Sequence, residues 1–119
     1  MPQALNSGDF LVFQLEAGFA LLRVLGRDDG EDGTTWHVAA YSDFYPDVES
    51  AEAATASPES LKHSARHLAL TDRAFASTQV ARLTNRSLTE DELQPLNEWR
   101  AKSDAVVHER SIRLLLGLR

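Results

Sequence analysis

Four histidines, 18 acidic side chains and no cysteine set the chemistry open to this 119-residue chain. Without cysteine there is no disulfide, no thiol nucleophile and no thiolate zinc site. His63 and His67 stand four apart, which on a helix would put two imidazoles on one face for a metal. No glutamate adjoins His63 as in a metalloprotease helix, and the nearest acid upstream is Glu59, so incidental strand or surface histidines are the plainer reading. The run Asp28-Asp29-Gly30-Glu31-Asp32-Gly33 is rich in oxygen ligands. A calcium loop counted from Asp28, however, would need a ligand where Gly30 stands and a glutamate where Ala39 stands. It reads instead as a polar turn. A Ser/His/Asp triad drawing on His37, His67 or His108 lacks the glycine-flanked serine elbow, and there is no phosphate loop. Asp43 and Asp47 beside Tyr41 and Tyr45 have the residue types of general acid–base catalysis. None of these patterns assigns a catalytic residue, a metal or a cofactor.

One constellation points to binding. Tyr41, Asp43, Phe44, Tyr45, Asp47 and Glu49 bring three aromatics and three acids together at the exit of a predicted strand. Aromatics supply contact area and acids supply steering, so this composition suits a basic protein partner. The competing reading is that Tyr41 and Phe44 only plug the end of the sheet. Charge distribution agrees with a basic partner. Residues 28–61 hold nine acids and no lysine or arginine, within a formal net charge of −6. Such a middle repels phosphate backbones, which argues against nucleic acid. The expectation is a non-enzymatic protein-binding module. Its rivals are a small hydrolase-like enzyme using His37 or His67 with a loop carboxylate such as Asp43, and a scaffold subunit without a site of its own.

The elements that must position these residues follow from local pattern. Asp9 to Leu15 and Gly18 to Leu25 flank Glu16-Ala17-Gly18, predicting a hairpin closed by a three-residue loop with Gly18 left-handed. Both faces of both strands are apolar, so the hairpin needs cover on two sides. Residues 34–41 predict a third strand, with Trp36, Val38 and Ala40 on one face and His37, Ala39 and Tyr41 on the other. Residues 42–60 lack periodicity and read as a long acidic loop, with at most one helical turn around 51–54. A strand is favoured at 66–70, although 61–70 could also be helix. A short helical turn at Ala74 and Phe75 and a fifth strand at 77–84 complete the sheet. Thr89-Glu90-Asp91-Glu92 is a capping box that starts a helix, with a kink or restart expected at Pro95. Ser103-Asp104 would cap a further helix from 105 to about 116. The whole is predicted to be one α+β domain over 1–119: a bent antiparallel sheet or partly open barrel of about five strands with C-terminal helices. Its divisions are a β-meander at 1–41, the acidic loop at 42–60, further strands at 61–86 and a helical part at 87–119. The predicted core is Leu11, Phe13, Leu15, Leu22, Val24, Trp36, Val38, Leu68, Leu70, Val80, Leu96 and Trp99. Leu114, Leu115, Leu116 and Leu118 should bury apolar area against that core or against a second copy in a homodimer.

Gly8-Asp9-Phe10-Leu11-Val12-Phe13 and, after the turn, Gly18-Phe19-Ala20-Leu21-Leu22-Arg23-Val24-Leu25 resemble the opening of small bacterial immunity proteins of polymorphic toxin systems. The likeness covers the first fifth of the chain, and is looser at Leu70-Thr71-Asp72 and at 88–92. Where a tryptophan is expected in the strand before the helix, this chain has Arg82 or Leu83. The motif is a structural hairpin, so no functional residue carries over. The resemblance implies a barrel-like domain that binds and neutralises a toxin. No basic flank followed by a long apolar core marks a signal peptide, and no apolar run reaches a membrane span, so a cytoplasmic protein away from membranes is expected.

Overall fold

The computed structural model describes residues 5–31, 33–102 and 105–118. Period-two apolar patterning produces strands β1 (Asp9–Leu15), β2 (Gly18–Gly30), β3 (Gly33–Tyr45), β4 (His63–Thr71) and β5 (Ala81–Asn85). They form one antiparallel sheet in the order β4-β3-β2-β1-β5, not closed into a barrel. The predicted α+β class is therefore what the chain adopts. Its helices are not all C-terminal, because α1 (Val48–Ala54) and α2 (Asp72–Ala76) lie between strands, ahead of α3 (Glu90–Ala101) and α4 (Ile112–Leu116).

The opening hairpin is tighter than expected. Leu15 already pairs with Gly18, leaving only Glu16 and Ala17 to close it. Gly18 sits at φ +145°, and a Cβ there would collide with the Tyr45 carbonyl oxygen, so glycine lets the end of β3 lie against the turn. β2 and β3 run on through the predicted polar turn to Gly30 and Gly33, which places Asp28 inside a strand.

The long loop predicted at 42–60 is largely ordered structure. β3 continues to Tyr45, Asp47 caps α1 by accepting from Ser50 N at 2.7 Å, and Pro58–Ser60 form a single 3₁₀ turn. Seven helical residues are too few to show periodicity, which is why the sequence pattern gave only a turn at 51–54, the second half of α1. Similarly, β4 begins at His63 rather than 66, and β5 begins at Ala81 rather than 77. The capping box forms as read: Thr89 N donates to Glu92 Oε1 at 3.0 Å, and Glu92 N to Thr89 Oγ1 at 3.2 Å. α3 nevertheless continues through Pro95 without restarting, anchored beyond it by buried Leu96. The helix predicted from 105 shrinks to α4. His108 instead runs parallel to the β4 edge, its N–H donating to Ala69 O at 2.8 Å and its carbonyl accepting from Thr71 N at 3.0 Å. The predicted cap at Ser103-Asp104 lies outside the described residues.

The sheet is covered on both faces. On one face Leu11, Phe13, Leu15, Leu22, Val24, Trp36, Val38, Ala40 and Leu70 meet Ala74 and Phe75 of α2 and Ile112 of α4. Trp36 stacks on Phe75 at 4.6 Å and donates from Nε1 to Asp72 Oδ1 at 2.8 Å, which pins α2 in place. Leu68 and Val80 are only partly buried there, as are Leu115, Leu116 and Leu118, whereas Leu114 is 70% exposed. On the opposite face Phe10, Val12, Leu21 and Tyr41 meet Ala51 of α1, and Leu25 and Ala39 meet Leu96 of α3. Trp99, expected in the core, is half-buried at the end of α3. No helix among the described residues is long and apolar enough to cross a membrane.

Candidate functional site

The predicted binding residues divide between interior and surface. Tyr41 is buried, tilted against Phe10 at 5.8 Å and against the His63 ring at 4.8 Å. Burial raises its phenol above the ordinary range. Tyr45 is half-buried with the same cluster. Asp43 and Glu49 are exposed, and Asp47 is committed to capping α1. Phe44 is 44% exposed, and Val48, the first residue of α1, is 41% exposed. The surface that the segment offers is therefore Phe44 and Val48 among Asp43, Asp47 and Glu49, without Tyr41.

Sequence reasoning overlooked the charged interior of the second face. Arg23 is fully buried on β2 between Leu22 and Val24, pointing away from their face. One guanidinium nitrogen bonds the Glu92 carboxylate. A second donates to Arg86 O at 2.7 Å and Ser87 O at 3.2 Å, Nε is buried without a partner among the described residues, and the guanidinium carbon lies 4.5 Å from the Phe10 ring centre. Glu92 thus serves both the α3 cap and the buried arginine, which ties the helix start to the central strand. A lone arginine within the two-sided apolar run 18–26 was the available signal.

Nearer the other end of the same face, three strands and α3 converge on a histidine pair. Asp28 on β2 is gripped by Arg100 of α3 at 2.6 and 3.2 Å. Asp28 Oδ2 is 3.0 Å from His37 Nε2, and His37 Nδ1 is 2.9 Å from His67 Nε2. The two ring planes are 17° apart, with their centres 5.1 Å from each other. Trp99 meets His37 edge-on at 4.7 Å and donates from Nε1 to Val106 O at 2.9 Å, closing the cluster. The carboxylate that joins the histidines is Asp28, not the loop residue Asp43. His63, four residues along β4, packs on Tyr41 instead, so His63 and His67 are strand histidines, as the plainer reading had it, and not a metal pair.

No family model, curated protein or solved structure matches the chain. What the site can do rests on its own electrostatics. Arg100 above all, helped by His37, holds the Asp28 carboxyl below its usual range. Burial lowers His37 against the pull of Asp28. His67 is pushed down to about 4, first by burial and then by the charges of His37, Arg100 and His108. Both imidazoles are thus neutral at pH 7. An ionised Asp28 only accepts, so His37 carries its proton on Nε2 and accepts at Nδ1 from His67 Nε2–H. The remaining His67 nitrogen, Nδ1, then bears a lone pair, and no described residue donates to it. His67 lines an open pocket of about 360 Å³ together with Leu68, Ala69, Trp99, Lys102, Ala105, Val106 and His108. A larger cleft of about 560 Å³ lies between the 3₁₀ turn, β4 and the start of α3, with Glu59, His63, Arg66, Asp91 and Glu92 on its walls. Among the described residues, no group of three or more histidine or acidic side chains is placed to hold a metal ion.

Proposed function

We propose that this chain is a protein-binding module that docks a basic partner on the exposed segment joining β3 to α1. The observation that carries this reading is the exposure of Phe44 and Val48 inside the most acidic stretch of the chain. An apolar contact ringed by acids combines desolvation with steering. The immunity-like opening hairpin supports a basic toxin as the partner and inhibition as the outcome, in the cytoplasm. Residues Tyr41 and Tyr45 support the segment from beneath. Leu114, exposed on α4, is the matching candidate for a homodimer contact. The test is capture from the producing cells, reconstituted with the purified partner, at low and high salt. One basic protein should bind the wild type, weaken steeply with salt, and be lost on joint Asp43→Lys, Asp47→Lys and Glu49→Lys substitution. Undiminished binding by that variant would overturn the reading.

A second reading is favoured by a separate observation, the Asp28–His37–His67 chain ending in a cavity. It is that His67 performs acid–base chemistry there, its tautomer set by the relay. Imidazole nitrogen shifts at pH 7 test it: Nε2 should be protonated and Nδ1 bare. A protonated Nδ1 would overturn it.

A further inference from the structure

We propose that the Asp28–His37–His67 line is a two-proton latch on the end of α3: it holds Trp99 and Arg100 against the sheet while both imidazoles are neutral, and lets them go when both are charged. The latch needs only the bond between the rings, whether or not His67 performs chemistry. His37 Nδ1 and His67 Nε2 face each other at 2.9 Å, a gap that holds one hydrogen and has no room for two. His37 is also fully buried, with Asp28 3.0 Å from its Nε2 and Trp99 edge-on at 4.7 Å. Water therefore reaches the His37 ring only when the end of α3 has moved.

With both rings neutral the line is satisfied from end to end. Arg100 donates to Asp28 at 2.6 and 3.2 Å, His37 Nε2–H donates to the same carboxylate, and His67 Nε2–H donates to His37 Nδ1. With both rings charged, every ring nitrogen carries a hydrogen and the bond between the rings becomes a clash. The titratable and charged groups that face the pair are Asp28 from β2, Arg100 from α3, Lys102 just past its end and His108 on the β4 edge. Asp28 is the one acid among them, so a second imidazolium beside Arg100 has no counter-charge. Burial and these charges hold His67 at about 4 and His37 below its ordinary range while the latch is closed, against 6.5 for either ring in water. Opening thus takes up two protons below about pH 6.5, and its equilibrium constant rises about a hundredfold per pH unit. Release is confined to the last turn of α3, because Leu96, one turn earlier, is buried with Leu25 and Ala39.

The test follows the Trp99 indole N–H, bonded to Val106 O at 2.9 Å, by nuclear magnetic resonance of the full chain as pH is lowered from 7. Its signal should pass to that of a solvent-exposed indole, with an opening constant that rises about a hundredfold per pH unit. The methyl signals of Leu22 and Val38 should meanwhile keep their folded positions. His67→Gln, whose amide can donate to His37 Nδ1 but takes up no proton, should keep Trp99 in place at a pH where the wild type has let it go. The Leu22 and Val38 methyls verify that this variant folds, and the slope in the wild type decides on its own if it does not. A rise of only about tenfold per pH unit would mean that His67 alone turns out into water, and would overturn the latch. So would Trp99 leaving only together with Leu22 and Val38, or an unchanged titration in His67→Gln.

Discussion

The two faces of the sheet are built from the same strands and solve different problems. The face toward α2 and α4 is a continuous apolar layer with polar contacts at its edges, the Trp36–Asp72 bond and the Arg113 bond to Gln14 O. The face toward α1 and α3 breaks its apolar cover twice, once for Arg23 with Glu92 and once for Asp28, His37 and His67. Burying such groups costs free energy unless each is bonded, and a satisfied network is more orienting than stabilising. The dry face therefore holds the fold, and the other, the wet face, orients its buried polar groups and places α3.

The difference can be broken at its strongest point. Glu92→Ala leaves the Arg23 guanidinium buried without its counter-charge and removes half of the capping box, and should cost about 3–5 kcal/mol in urea unfolding. Replacing both partners, Arg23→Met with Glu92→Leu, should recover most of that loss, because the pair orients more than it stabilises. A double variant as unstable as Glu92→Ala would show that the charge pair itself supports the fold. On the dry face, Leu22→Ala should cost about 2–5 kcal/mol with no such rescue, as expected for a cavity. Thr89→Ala, which removes only one cap bond, should cost about 1 kcal/mol. All four variants are read from denaturation midpoints.

How legible each face was in the sequence follows the same division. The dry face could be read because its residues alternate: Leu11, Phe13, Leu22, Val24, Trp36, Val38 and Leu70 are all buried as the period-two pattern predicts. The Thr89 cap was legible because its two partners lie three residues apart. The wet face depends on contacts that local pattern does not carry. Arg23 reaches Glu92 across 69 positions, and Asp28 reaches Arg100 across 72. His37 and His67 are chemically able residues by type, but the sequence offers Asp43, near the end of β3, as their carboxylate because nothing local links Asp28 to them. The burial of Tyr41 was not legible for a related reason. Tyr41 shares a strand face with His37 and Ala39, and that face is covered by α1, a helix too short to announce itself.

A smaller effect should appear with pH. His67 ordinarily titrates at 6.5 and is held at about 4 in the fold, so the unfolded chain binds more protons between those values. Stability is then complete above about pH 6.5 and declines as pH falls toward 4. Urea midpoints at pH 7 and pH 5 should differ for the wild type, and the difference should shrink in His67→Gln. Smallest of all, Phe44→Ala should change stability by less than about 0.5 kcal/mol, as befits an exposed side chain, while weakening partner capture. A large loss of stability would mean that Phe44 plugs the sheet rather than serving a docking surface.

The most direct test of the division between the faces is the titration of His67 itself, followed by its imidazole resonances in the folded protein. The structure predicts a neutral ring through physiological pH that takes up its proton only near 4, together with a change in the His37 signals. A midpoint near the ordinary 6.5, with His37 unaffected, would mean that the two rings are not joined and that the wet face holds no relay.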